Sequence, residues 1–403
     1  MTTPLDVSRR SFLKTTTAVA GLTALGVPAV QARDANEILN VAAIGTGGRC
    51  QMLLKALVKV PRVRVAAVCD IYDKHLADGR KLADPKALAT RHYQEILDRK
   101  DIDAVLIATP NHWHVPMTVD ACAAGKDVYV EKPLTHSLAE GNRVIEAQNK
   151  HQRIVQVGMQ QRSMPQFQKA RDIVRHGIGT VHKVHLTWNR NTDPSHKEPP
   201  SIDPKELDWK AFLGPAPAQP FNEVRYRHWR SFWDFGDGIL GDLMVHFIDV
   251  VHWYLNVDHP QQATTIGASY TTEGLETPDT TQTLLTYPDF QVYFEGTFCN
   301  ARNAAMLEFM GTGGTVYLDR GRYEVYPERN RRSYEEWILG TGKRGADYYD
   351  QPDGELVHLT NWIECIRSRK RPNAPAEAGV SAAAAAHLGN QAYRANQVMA
   401  WKG

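Results

Sequence analysis

The stretch from Asn40 to Asp70 constrains this chain more than any other. Asn40-Val41-Ala42-Ala43-Ile44 is a short apolar, strand-like run that passes directly into Gly45-Thr46-Gly47-Gly48-Arg49-Cys50. Helical spacing through Met52, Leu53, Leu54, Ala56 and Leu57 follows. A strand, a glycine turn and a helix in this order build a dinucleotide site. Gly45 lets the chain turn, Gly47 lets backbone approach a pyrophosphate, and the helix N-terminus supplies N–H groups. The next strand-like run, Val63 to Cys69, ends in Asp70. That is about twenty residues past the glycines, where a carboxylate accepts hydrogen bonds from an adenosine ribose. The third fingerprint position holds Cys50, which is still small enough for close helix packing. The turn therefore predicts nicotinamide dinucleotide binding by Gly45, Thr46, Gly47, Gly48, Arg49 and Asp70.

The alternation continues. Asp103 to Thr109 is an apolar run of the fully buried kind, ending in Pro110-Asn111-His112-Trp113-His114. Asp127-Val128-Tyr129-Val130 runs into Glu131-Lys132-Pro133, and a helix over Ser137 to His151 leads to a strand over Arg153 to Val157. This predicts a Rossmann-type, doubly wound parallel sheet over 36–158, with the loops at Gly45, Asp70, Thr109 and Glu131 converging at the strand ends. From Gly158 the pattern changes. A helix from Gln166 to His176 and the alternating strand Val181 to Trp188 precede a Pro-rich passage from Asp193 to Pro220 without a clear element. A helix from Leu240 to Leu255 follows, then strand-like runs at 263–270, 280–287, 291–298, 305–310 and 315–318. The expectation is α/β overall, with a C-terminal α+β domain over 159–375 carrying an open, largely antiparallel sheet. An alanine-rich helix within 376–403 is expected to pack back on the first domain.

At the N-terminus, Ser8-Arg9-Arg10-Ser11-Phe12-Leu13-Lys14 precedes a modestly apolar stretch from Ala18 to Val30 and then Val30-Gln31-Ala32. This reads as a twin-arginine export signal over 1–32 with cleavage after Ala32, which places the mature protein in the periplasm or otherwise outside the cytoplasmic membrane. An uncleaved signal acting as an anchor stays open. A net charge of +2 gives no electrostatic case for nucleic acid. The five cysteines have no metal-ligand spacing and are odd in number, so buried free thiols are expected. His112 and His114 flank Trp113 at a spacing poor for a shared metal, and no metal is assigned.

Asp242 and His246 lie four residues apart on the predicted helix and so share a face. A carboxylate there orients an imidazole, which accepts the proton of a substrate hydroxyl as hydride leaves the same carbon. An isolated pair of this kind is more often a helix-surface feature. The Gly236-Asp237-Gly238 turn just before it suggests close approach to a ligand and leaves the two readings side by side. Lys132, between a buried strand and a proline, is placed at the cofactor face. His228, Trp229 and Trp233 beside the glycine turn suit stacking on a sugar ring. Arg162 and Tyr226 are assigned with them to the substrate side.

These residues resemble the Gfo/Idh/MocA oxidoreductases, the family of glucose-fructose oxidoreductase and inositol dehydrogenase. The likeness rests on Gly45-Thr46-Gly47-Gly48-Arg49, Thr109-Pro110-Asn111-His112-Trp113-His114, Glu131-Lys132-Pro133, Gly238-x-x-x-Asp242-x-x-x-His246 and Ile366-Arg367-Ser368 to Pro372. It implies oxidation or reduction of a sugar or cyclitol hydroxyl, and a second domain that often mediates dimers or tetramers. It makes Lys132 and His246 the catalytic pair and Asp242 the orienting or substrate-binding acid. Thr109, Pro110, Asn111, His114, Glu131 and Lys132 then serve the cofactor. No Arg directly follows Asp70, which favours NAD, while Lys74 leaves NADP open. Export adds a further expectation, that the cofactor is bound tightly and recycled in place. Simple dehydrogenation leads; redox-assisted glycoside hydrolysis or elimination through a keto-sugar, and a non-catalytic sugar-binding role, are the alternatives.

Overall fold

The computed structural model describes residues 37–191, 201–329, 332–338, 344 and 353–402. The proposed export signal and cleavage site lie outside these residues, as does the part of the Pro-rich passage from 193 to 200.

Six short apolar runs form the first sheet: β1 (Leu39–Ile44), β2 (Val63–Cys69), β3 (Leu88–Thr90), β4 (Ala104–Ile107), β5 (Asp127–Val130) and β6 (Val155–Val157). They lie in the order β3-β2-β1-β4-β5-β6 and every pairing is parallel. Parallel strands need crossovers, and helices α1 (Gly48–Leu57), α2 (Asp73–Lys81), α3 (Tyr93–Asp98), α4 (His114–Ala123) and α5 (Gly141–His151) supply them. The order reverses between β1 and β4, and a crevice opens beyond the carboxyl ends of strands at such a switch point.

The chain then runs through α6 (Pro165–His176), β7 (Val181–Asn189), α7 (Trp209–Leu213), α8 (Glu223–Arg227) and a π-helical turn, Leu240–Met244, continuous with α9 (Val245–Leu255). Strands β8 (Gln262–Ala268), β9 (Thr280–Thr286), β10 (Gln291–Thr297), β11 (Ala305–Gly311), β12 (Gly314–Asp319), β13 (Arg322–Pro327) and β14 (Glu335–Ile338) follow. Helices α10 (Gly354–Ser368) and α11 (Ala376–Ala395) and the short β15 (Met399–Ala400) close the chain. The second sheet has the order β14-β13-β12-β11-β7-β10-β9-β8-β15. It is antiparallel except where β7 and β10 run side by side in parallel. The expectation of an open, largely antiparallel sheet holds, with three strands added: β13, β14 and β15.

Two helices depart from the expected division of the chain. α10, placed by sequence with the second domain, buries Leu359, Trp362, Ile363 and Ile366 in the core formed by β1 and α1. Trp362 is fully buried, edge-on to Tyr129 of β5 at 5.6 Å. The second sheet is thus inserted into the first domain, and the chain returns to finish the earlier core. α11 was expected to pack back on the first domain; it is wedged between both. A Cβ at Gly379 would fall 2.8 Å from Val157 and 2.9 Å from Leu134, and one at Gly389 would fall 2.7 Å from Leu240. Its alanines make this double contact feasible, because larger side chains would hold the two neighbours apart.

If α10 completes the first core, Trp362→Ala should cost about 3–5 kcal/mol of unfolding free energy. Val357→Ala, on the half-exposed side of the same helix, should change it by about 0.5 kcal/mol or less. Urea unfolding of both variants checks the difference.

Candidate active site

Two adjoining cavities open at the switch point. The larger, about 870 Å³, is lined by Gly45, Gly47, Gly48, Asp70, Tyr72, Thr109, Pro110 and Tyr226, among others. The smaller, about 420 Å³, is lined by Glu131, Lys132, Asp242, His246 and neighbours. Arg49, Ala108, Thr109 and the run Arg227 to Arg230 face both, so the cavities share a wall.

The larger cavity fits a dinucleotide on its own geometry. Gly45 has φ +82°, and a Cβ there would fall 2.9 Å from the Thr109 backbone nitrogen, so the ends of β1 and β4 close up only around glycine. Helix α1 starts at Gly48 with no side-chain cap and no acid in its first turn, leaving its N–H groups and positive dipole end for an anion. Asp70 is buried at the cavity wall and accepts the Thr46 N–H at 2.6 Å and the Tyr72 N–H at 2.9 Å. Burial holds its carboxyl above the ordinary range, against the opposing pull of His75 and those N–H groups. Cys50 is fully buried beneath the helix, so it fills the third glycine's place without reaching the cavity.

In the smaller cavity the Lys132 ammonium donates to Asp242 Oδ1 at 2.9 Å and to the Asp242 carbonyl at 2.5 Å. Arg230 donates to the same Oδ1 at 3.1 Å. Burial pushes the Asp242 carboxyl up, but Lys132, Arg230 and Arg190 outweigh it and hold the group ionised. Burial also lowers Lys132, while Asp242 opposes the shift. His246 is 6% exposed and stacked on Trp188 at 5.0 Å. Burial first, then Lys132, Arg320, Arg190 and Arg49, push its imidazole well below the ordinary histidine value, so it is neutral at pH 7. Among the described residues, His246 Nδ1, Gln160 Oε1 and Thr109 Oγ1 belong to lining residues and have no hydrogen-bond partner, but these atoms are buried and closed off from the cavity itself.

Several sequence assignments move. Asp242 does not orient His246; a π-turn intervenes, and the carboxylate is taken up by Lys132 and Arg230. Arg162 is turned away from both cavities and chelates the fully buried Asp249 at 2.8–2.9 Å. Trp233 also lies outside them, with its ring near Tyr393 and Arg394. Asn111 donates to the buried Asp237 at 2.8 Å. The Thr46 hydroxyl is spent on the His75 carbonyl, so this residue braces the turn from behind. Tyr226 faces the larger cavity near His75. Burial and Asp70 raise its hydroxyl's pKa, so it is protonated at pH 7. Arg49 faces both cavities while bridging Glu131 and Glu355 at 2.9 Å each. His114 reaches the smaller cavity with its two ring nitrogens at the carbonyls of Pro133 and Thr109, 2.7 and 2.9 Å away. His228 and Trp229 line both cavities.

Sequence reasoning missed Arg190, Gln160, Phe298 and Arg320, which complete the smaller cavity. Arg190 follows a strand and Arg320 sits in the turn between β12 and β13, positions where an arginine is ordinarily solvated. The described cysteines are all free, four of them buried and Cys299 partly exposed. No group of metal-ligating side chains occurs among the described residues.

Comparison with known proteins agrees with this architecture. Residues 39–159 match the oxidoreductase family with an NAD-binding Rossmann fold, and residues 175–319 match the C-terminal alpha/beta domain of the same family. Residues 6–26 match the twin-arginine translocation signal. Inositol 2-dehydrogenase of Salmonella typhimurium is 28% identical over 211 residues, 50% of this chain and 49% of that protein. Alpha-N-acetylgalactosaminidase of Shewanella oneidensis is 33% identical over 125 residues, 29% of this chain and 27% of that protein. The chain spans about half the length of the inositol dehydrogenase and less of the glycosidase. A solved levoglucosan dehydrogenase, in complex with NADH and L-sorbose, superposes with a TM-score of 0.71 at 18% identity, over 90% of this chain and 99% of that one. With two successive domains matched and a sheet order to suit them, the chain belongs to the Gfo/Idh/MocA oxidoreductase family and carries a twin-arginine signal.

Proposed function

We propose that this protein is an exported, NAD(H)-dependent oxidoreductase that oxidises or reduces a CH–OH group of a sugar or cyclitol, with His246 as base and Lys132 as the cation at the reacting oxygen. The observation that carries this reading is that Lys132, its ammonium fixed by Asp242, and the buried imidazole of His246 line one small cavity that shares a wall with the cavity at the glycine turn. A substrate hydroxyl held there meets a cation and a base beside the dinucleotide site. Bound NAD supplies the hydride acceptor.

The protein's own groups divide the remaining work. The neutral imidazole of His246 accepts the hydroxyl proton, and its depressed pKa keeps it unprotonated before each turnover. The Lys132 ammonium, fixed by Asp242, stabilises negative charge developing on the same oxygen. In the reverse direction the imidazolium returns the proton. Trp188 holds the ring plane of His246 by stacking. Asp70 favours NAD, since a carboxylate that serves a ribose hydroxyl repels the 2′-phosphate of NADP. The twin-arginine route carries folded proteins, so the cofactor is taken up before export and retained in the periplasm. Inositol and levoglucosan dehydrogenases support a carbohydrate substrate, and the glycosidase likeness makes glycosides worth including in any assay panel.

Lys132→Ala and His246→Ala should each lower kcat about 10²–10⁴-fold with NAD affinity retained; turnover that survives both changes would refute the assignment. In a pH profile of oxidation, a base held below its usual value keeps activity flat as pH falls through 6.5, with the acid limb lower. The alkaline limb, where Lys132 loses its proton, should lie below 10.5, and Asp242→Asn should move it lower still. Denaturing the purified mature protein, with no cofactor added, should release close to one NAD(H) per chain by mass spectrometry.

A further inference from the structure

Asp237 is a buried charge with no part in the chemistry. It stands in the glycine turn just ahead of the π-turn, and it is 5% exposed. Its side chain packs against Gly241, where a Cβ would fall 2.3 Å away. Its carbonyl accepts the Gly241 N–H at 3.3 Å and the Asn390 amide of α11 at 2.9 Å. Its carboxylate accepts from Asn111 at 2.8 Å, one residue past Pro110 of the dinucleotide cavity. One residue therefore ties the loop after β4 and helix α11 to the start of the π-turn, the turn that presents Asp242 to Lys132.

A carboxylate so deep needs a cation. Among the described residues its ion-pair partners are both histidines, His136 Nδ1 at 3.3 Å and His387 Nδ1 at 3.6 Å. Its charge is thus balanced by the side chain that titrates nearest neutrality. The two rings differ. His387 is buried on α11 with its Nε2 3.1 Å from the Thr135 carbonyl, which a neutral ring satisfies, and burial lowers its pKa. His136 has two carboxylates about it: Asp237, and Glu140, which accepts its backbone N–H at 2.7 Å. The Trp233 carbonyl is a further acceptor. From the loop after β4, the His112 ring stands 6.4 Å away and is uncharged at pH 7, since burial brings it down to about 4. Burial lowers His136 too, but Asp237 and then Glu140 outweigh it and raise the ring above the ordinary histidine value. With 19% of its side chain exposed, it exchanges its proton with water.

Resting on the functional reading above, we infer that His136 is a positioning residue: as an imidazolium it clamps Asp237 against the π-turn, and when it gives its proton to water the clamp loosens and Lys132 loses its fixed place. A histidine raised in the folded state stabilises it fully below the unfolded value, and that contribution is lost as pH rises through the folded one. The step lies above 6.5 and is separate from the titration of Lys132 itself. An exported enzyme meets the pH of its surroundings directly, and this pair passes it to the active site.

The test follows the full mature protein, loaded with NAD, between about pH 6 and pH 9. Hydrogen exchange, corrected for the intrinsic pH dependence of amides, is read by mass spectrometry over 239–246, with α10 as the reference. Protection of the π-turn should fall about tenfold or more across the step while α10 keeps its own. In spectra of carbon-labelled histidine rings, the resonance missing from His136→Gln should titrate above 6.5 in the unaltered protein. On a carbohydrate that the enzyme oxidises, kcat should fall about tenfold through the same range with KM little changed. His136→Gln keeps a neutral donor, so it should hold kcat and protection at the alkaline level at every pH. Asp237→Asn should do the same and serves if the first variant does not fold. Protection independent of pH in the unaltered protein would overturn the clamp, as would a step that persists in either variant or a His136 ring already neutral at pH 6.5. Loss of protection in step with His136, in a protein that oxidises no carbohydrate, would sustain the clamp and sink the proposed reaction.

Discussion

The contact between Lys132 and Asp242 holds the active site together, because it joins the end of β5 in the first sheet to the π-turn that opens the long helix of the second. Both side chains are largely buried, and burying two charges is justified only if each is well met. Here the ammonium is held by the carboxylate and by the carbonyl of the same residue, while Arg230 reaches the carboxylate from another segment. Removing the carboxylate leaves the buried ammonium with a backbone carbonyl alone, whereas removing the ammonium leaves the carboxylate with Arg230. The pair thus fixes the position of the cation that the chemistry needs and ties together two sheets that could otherwise shift relative to each other. A second polar knot acts in parallel: the buried Asp237 accepts from Asn111 and lies 3.3 Å from His136 and 3.6 Å from His387, so two loops of the first sheet, the glycine turn and α11 converge on one carboxylate.

The π-turn explains why Asp242 and His246 act on the same cavity without touching. In a regular α-helix residues four apart stack along one face. The wider turn changes that relation, and such turns recur at functional sites. Gly238, at φ +58°, and Gly241, where a Cβ would meet the Asp237 side chain at 2.3 Å, permit the tight packing just before and within it. The acid is left to face Lys132, and the imidazole to lie on Trp188. An imidazole that is neutral because it is buried among cations, and an ammonium held by its own carboxylate, are two consequences of one arrangement.

Much of this was legible in the chain itself. The first sheet could be read strand by strand, because fully buried parallel strands are continuous apolar runs separated by glycine turns and helical spacing. Lys132, Asp242 and His246 were identified as members of one site, although their pairing was not, since a one-residue change in helical register is invisible to a 3.6-residue pattern. Arg162 shows the opposite failure: an arginine just past the first sheet is well placed for a substrate, but Asp249 on α9 captures it from 87 residues away. Arg190 and Arg320 escaped notice for a related reason. Each stands where local sequence predicts solvent, and only the sheet order that brings β7 beside β11 and β12 carries them both to Trp188. Likewise α10 has a helical pattern but nothing in that pattern names the core it completes.

The same insertion bears on how an exported enzyme could keep its cofactor. The larger cavity is not built from the first sheet alone. Ala211, Phe212 and the residues from Tyr226 to Arg230, all from the inserted part of the chain, form one of its walls. That wall is itself anchored: Phe212, Phe232 and Phe235 pack into a separate aromatic core with Trp209 and Tyr226, and His112 and Trp113 of the first sheet both hydrogen-bond the Phe212 carbonyl. A dinucleotide lying between the glycine turn and this wall is flanked by a surface that aromatic packing and those two hydrogen bonds hold in place. A wall held this firmly favours the retention proposed for the cofactor. An enzyme folded around NAD before export, and recycling it between two carbohydrate half-reactions, needs that kind of retention. A freely exchanging dehydrogenase would be hindered by it.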